Sequence, residues 1–193
     1  MKIQTEALLV DLANRTKQLI QEVETFKDRP AAVLNYKQTA ESWSVLECLE
    51  HLNLYGRFYL PEIAKRINES KQKSEPVFNS GWLGNYFANS MLPKAKLNKM
   101  KTFKNMNPLN SKLDKKVIEE FINQQNEILR LLEEARKISL NKTKTSITLS
   151  KLIKLRLGDT FRFVIYHNQR HMAQAQRIEN VEVKNSELGI RNS

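Results

Sequence analysis

"WSVLECLEHL", residues 43–52, decides how this chain folds. Ser44 followed three residues later by Glu47, just ahead of an apolar run, is a capping box: the serine hydroxyl accepts from the N3 amide and the glutamate reaches back to the serine amide. A helix is therefore predicted from 45 to about 70, with Val45, Leu46, Leu49, Leu52, Phe58, Ile63 and Ile67 recurring along it. Pro61 is expected to kink it, because proline has no amide to donate to Arg57. His51 follows Leu46 and Leu49 on or beside the buried face, so its imidazole can project into a core.

Working outward, Leu8, Leu12, Leu19, Ile20, Val23 and Phe26 predict a first helix over about 3–28, stopped by Arg29 and Pro30. An extended connection leads to Trp43. Downstream, residues 71–110 lack a long helical pattern, and Trp82, Tyr86, Phe87 and Leu92 predict a short helix packed down within them. A third long helix is expected over 112–136 behind Ser111 as cap, striped by Val117, Phe121, Ile128, Leu132 and Ala135. "ITLSKLIKLRL" (147–157) predicts an extended piece and a short helix ending near Gly158. The last helix then starts behind Asp159 as N-cap and carries Phe161, Val164, Ile165, Met172, Ala175 and Ile178. The expected organisation is one helical domain, 1–183, with a polar tail, 184–193.

Five glycines and five prolines in 193 residues suit long helices better than many tight turns, so the expected class is all-α. The lone cysteine, Cys48, has no intramolecular disulfide partner, the first residues lack a signal-peptide pattern, and no run reaches the ~20 apolar residues of a membrane span. A cytoplasmic protein is expected. The net charge of +11 comes from two connecting regions, with nine Lys or Arg against two Glu over 65–104 and six against one Asp over 142–162. "PKAKLNKMKTFK" (93–104) reads as a solvated surface element at a pocket edge, since Phe103 alone is interleaved for stacking. Neither a specific nucleic acid nor a membrane is expected as a partner.

The chain has three histidines. His167 and His171, in "YHNQRHMAQAQRI" (166–178), stand four apart on one helical face, and His51 can meet them from another helix. Three neutral imidazoles with open positions form the catalytic type of transition-metal site. By spacing alone the three read equally well as separate polar groups, so the alternatives stay open at this point.

"W-S-x-x-E-x-x-x-H-L", as Trp43 to Leu52, and "H-x-x-x-H-x-x-Q", as His167 to Gln174, resemble the DinB/YfiT-like metalloenzymes. The resemblance covers nearly the whole chain. It implies a four-helix bundle of DinB/YfiT-like topology with a long connection between helices 2 and 3, and a divalent transition metal (nickel, zinc or manganese) held by His51, His167 and His171. It also implies a thiol-dependent S-transferase that joins a low-molecular-weight thiol to an electrophilic substrate. A metal-dependent hydrolase is the alternative, as is a non-enzymatic metal-binding or nucleic-acid-associated bundle. Glu47, one turn before His51, is the candidate base, with closure of the capping box as its other reading. Gln174 is the candidate for orienting a ligand. Arg170 is expected at the rim and Cys48 as a small hydrophobe. A homodimer is compatible with all of this.

Overall fold

The capping box forms. Ser44 Oγ accepts from the amide of Glu47 at 3.2 Å, and Glu47 Oε2 accepts from the amide of Ser44 at 2.8 Å. From it runs α3, Val45–Glu69, unbroken through Pro61. The computed structural model describes residues 1–93, 102–148 and 150–187. Among these, β1 (Lys2–Gln4) leads into α1 (Thr5–Glu24), a 3-10 turn (Thr25–Asp28) and α2 (Ala31–Leu34). After α3 come β2 (Val77–Asn79), α4 (Trp82–Met91), a 3-10 turn (Lys104–Met106), α5 (Lys116–Ala135), β3 (Lys144–Ile147), β4 (Ser150–Arg156) and α6 (Leu157–Glu187). Most of the basic segment 93–104 and residues 188–193 of the expected tail lie outside the described residues.

The architecture is mostly helical, as the periodicity predicts. Helices α1 and α3 each pack against both α5 and α6. Their apolar faces form two clusters, one around Leu8, Leu12, Tyr59, Ile128 and Ile165, the other around Leu19, Leu49, Leu52, Phe121 and Met172. The residues between the clusters on each helix are polar and buried: Thr16, Asn53, Gln125 and Asn168. Asn168 donates to Gln125 Oε1 at 3.0 Å, and Asn53 to the carbonyl of Val117 at 3.0 Å. His167 belongs to this polar waist, and His51, among the α3 residues of the second cluster, reaches it at 3.2 Å. No helix among the described residues is long and apolar enough to cross a membrane.

Several expectations are corrected. The stretch 144–156 is an antiparallel hairpin with a register shift at Ser146/Ile147, not an extended piece and a helix. Thr145, Ile147 and Leu155 point inward between outward neighbours, which is strand periodicity, and β-branched residues favour it. A second small ladder joins β1 to β2, with Ile3 opposite Phe78. Helix α5 starts at Lys116 rather than 112, and Asp114, not Ser111, accepts its first amide, that of Lys116. Helix α6 continues through residues 184–187, where composition predicts tail.

Asp159 lies inside the first turn of α6 and caps a different helix. It accepts from the Gly81 amide at 2.9 Å, at the N-cap of α4, and from Ser80 Oγ. Gly84 is required here, because a Cβ on it would sit 2.4 Å from Asp159 Oδ2. Arg162, 2% exposed, pairs with the fully buried Asp159 at 3.1 Å and donates to Asn85 and Asn89 of α4, each at 3.1 Å. Removing one member of a buried pair strands the other charge. Asp159→Ala is therefore expected to lower stability by about 3 kcal/mol or more in urea unfolding. A loss under about 1 kcal/mol, the scale of an exposed pair, would show that Arg162 regains solvent.

Candidate metal centre

The phase of α3, set at Ser44, buries His51 to 2% exposure, and α6 presents His167, 5% exposed, and half-buried His171 on one face. The ring centroids lie 4.5 Å apart for His51 and His171, 4.7 Å for His167 and His171, and 5.0 Å for His51 and His167. Each ring offers one ligand atom within 4.8 Å of the other two, and no other residue joins the group among the described residues.

Two of the rings have a defined tautomer. His51 Nδ1 faces the carbonyl oxygen of Met106 at 2.6 Å, and His171 Nδ1 faces Gln174 Oε1 at 3.0 Å. Such oxygens only accept, so each Nδ1 carries the proton and each Nε2 keeps its lone pair. His51 Nε2 then lies 3.2 Å from His167 Nε2. Burial pushes the imidazole of His51 down to about 4 and that of His171 to about 3, and holds His167 well below the usual histidine value. All three are neutral at physiological pH, as metal ligands must be. At this distance the two nitrogens either share a proton carried on His167 Nε2 or face a common ion, since nitrogens bound at ~2.0–2.1 Å in a tetrahedral set stand about 3.3 Å apart. The spacing and the tautomers thus fit a divalent transition metal.

Aromatic rings wall the three histidines. Trp43 lies 4.7 Å from His51 and 5.6 Å from His171, and its indole donates to Asn107 Oδ1 at 3.1 Å. Tyr55 lies 5.0 Å from His51 and 4.6 Å from His167, and Phe163 stacks on His167 at 5.8 Å. Trp82, Tyr86 and Phe87 are not among these rings. Helix α4 packs down through Gly84, Ala88 and Met91, leaving Trp82 84% exposed. Tyr55 and Phe163 each stand one helical turn from a histidine, a spacing that equally describes core packing.

A family model described as the DinB superfamily matches residues 12–175. The chain belongs to the DinB superfamily. No curated protein and no solved structure matches it. The DinB-superfamily match runs from within α1 to within α6 and includes all three histidines and Gln174.

The remaining candidates in this DinB-superfamily chain have distinct surroundings. Glu47 closes the capping box, and its Oε1 also accepts from Lys37 Nζ at 2.7 Å and from the amide of Asn110 at 2.6 Å. Its carboxylate is outside the histidine group. Its visible effect is positional: it anchors the segment whose Met106 carbonyl holds His51, with Asn110 at φ 65, a conformation asparagine tolerates. Arg170, expected at the rim, is only 6% exposed, and its charge helps to keep His167 and His171 neutral. Cys48 is fully buried, with its thiol pushed up by burial, as a small hydrophobe should be. Gln174 orients His171 directly. Gln174→Ala should weaken metal affinity about 10- to 100-fold, the usual effect of losing a partner that orients a ligand. Competition against a chelating dye measures it, and unchanged affinity would deny Gln174 that part.

Proposed function

We propose that this protein is a metal-dependent enzyme that transfers a low-molecular-weight thiol to an electrophilic substrate. The fold assigned with it is a four-helix bundle of DinB/YfiT-like connectivity formed by α1, α3, α5 and α6. The observation that carries the reading is the convergence of His51, His167 and His171, two of them turned by Met106 and Gln174 so that Nε2 faces inward. An ion held by three neutral imidazoles keeps its charge and open positions, and so lowers the pKa of a thiol or water that reaches it. Imidazole donors favour nickel or zinc over manganese.

The chain's own groups supply the rest. Trp43, Tyr55 and Phe163 exclude water from the ring edges and offer apolar surface to a substrate body. Burial pushes the Tyr55 phenol up to about 12, so it stays a neutral donor beside His51 and His167. Glu47 remains a candidate base, acting against the hold of Lys37 and Asn110.

The test mixes metal-loaded protein, a panel of cellular thiols and monochlorobimane. Conjugation that requires one thiol and disappears in His167→Ala is the expected result. Water-dependent ester or amide cleavage, with no thiol perturbing the spectrum of a cobalt-substituted site, would replace the transferase with a hydrolase.

A further inference from the structure

A two-stranded hairpin buries one face and turns the other outward. In this hairpin Thr145, Ile147 and Leu155 are the buried positions. Strand alternation therefore puts Lys144 and Ser146 of β3 and Leu152, Lys154 and Arg156 of β4 on the outer face. Lys144 pairs with Arg156 and Ser146 with Lys154. Like charges directly opposite one another weaken a sheet, so this pairing costs stability. Lys144 and Lys154 are exposed, Leu152 is 94% exposed and its neighbour Ile153 38%. Between Glu134 and Asp159 the sequence has seven Lys or Arg and no acidic residue.

The charged face continues into an aromatic one. Arg156 donates to the carbonyl of Asn79, and its Nε lies 3.7 Å from where a Cβ on Gly81 would stand, next to the first residue of α4. Helix α4 has no charged residue, and its Trp82 and Tyr86, one turn apart, are 84% and 65% exposed.

We propose that the outer face of β3 and β4, with the exposed edge of α4, docks the protein on an anionic lipid bilayer. Lys144, Lys154 and Arg156 supply charge complementary to acidic headgroups. Trp82 and Tyr86 combine an apolar body with a polar tip, the chemistry of the headgroup boundary. Leu152, 94% exposed on this face, distinguishes a bilayer from nucleic acid, since an aliphatic side chain enters an acyl boundary but neither stacks on bases nor bonds them. The contact is peripheral and needs no spanning helix.

The test floats the full chain with phosphatidylcholine vesicles, with and without phosphatidylglycerol. Binding is expected only with the anionic lipid, falling as salt rises. A blue shift of tryptophan emission on binding should vanish in Trp82→Phe. Lys144→Gln with Lys154→Gln should weaken binding about 25-fold, at about fivefold per cation removed from an anionic surface. Leu152→Ser should weaken it with charge unchanged, and circular dichroism confirms that these surface variants are folded. The proposal fails if anionic vesicles bind no better than neutral ones, or if the double Gln variant binds as the parent does. Tight binding to duplex DNA that ignores Leu152→Ser and Trp82→Phe assigns the face to nucleic acid instead. Self-association in light scattering that Leu152→Ser abolishes assigns it to a second copy.

Discussion

Protein purified without a histidine tag and loaded with nickel or zinc is expected to carry one ion per chain, and the triple substitution of His51, His167 and His171 by Ala to carry none. The three rings are the whole histidine content of the chain, and no carboxylate or thiol among the described residues lies close enough to substitute. Single substitutions should not be equal in every respect. Each removes a ligand, which at about 3 kcal/mol per ligand weakens affinity on the order of a hundredfold. His51→Ala also frees the Met106 carbonyl from its 2.6 Å bond and loosens the segment that Trp43 and Glu47 anchor. Binding selective for the native state also stabilises it, by about 4 kcal/mol at a thousandfold excess over Kd. For a chain of this size that raises the melting temperature by roughly 10 °C. Elemental analysis and thermal melts of each variant check both statements. Full metal content in the triple Ala protein would remove the metal centre and the transferase built on it.

The parts of this molecule legible in its sequence are those governed by local spacing. The capping box at Ser44 is a local pattern of four residues, and it sets the phase that carries His51 inward. His167, His171 and Gln174 share a helical face by the same arithmetic. What escaped is what depends on contacts distant in sequence. Asp159 looks like the cap of its own helix because Ser, Thr, Asp and Asn before an apolar run usually are, yet besides Arg162 it accepts from Ser80 and Gly81, 79 and 78 residues away. The acceptor for His51 is a backbone carbonyl, at Met106, and a carbonyl has no sequence signature. The hairpin at 144–156 is not legible in sequence because a short run of Leu, Ile and Lys satisfies helical and strand periods alike. Trp82 and Tyr86 point to a short helix that packs down, and it forms, but its buried face is Gly84, Ala88 and Met91 while Trp82 and Tyr86 stay exposed.

The burial of His51 and His167, with His171 half-buried beside them, leads to a pH dependence unlike that of exposed histidines. In the unfolded chain a histidine takes up a proton near pH 6.5. In the folded chain His51 does so only near 4 and His171 near 3, with His167 also displaced downward by burial. Below 6.5 the unfolded state thus binds protons that the folded state refuses, and stability must fall as pH falls through that window. At pH 5 the loss reaches up to about 2 kcal/mol for each histidine, and it deepens until the folded values are reached. Chelated protein should therefore lose several kcal/mol of unfolding free energy between pH 7 and pH 5, and the His51→Ala variant should lose less over the same interval. The same displacement governs metal release. A folded site whose ligands resist protonation does not let go of its ion near 6.5; it loses it when the chain unfolds. Acid titration followed at once by a metal-sensing dye and by helical circular dichroism should give coincident transitions, well below pH 6. Release of the ion near pH 6.5 with helicity intact would mean that water reaches the imidazoles in the folded state, and that Trp43, Tyr55 and Phe163 do not close the site.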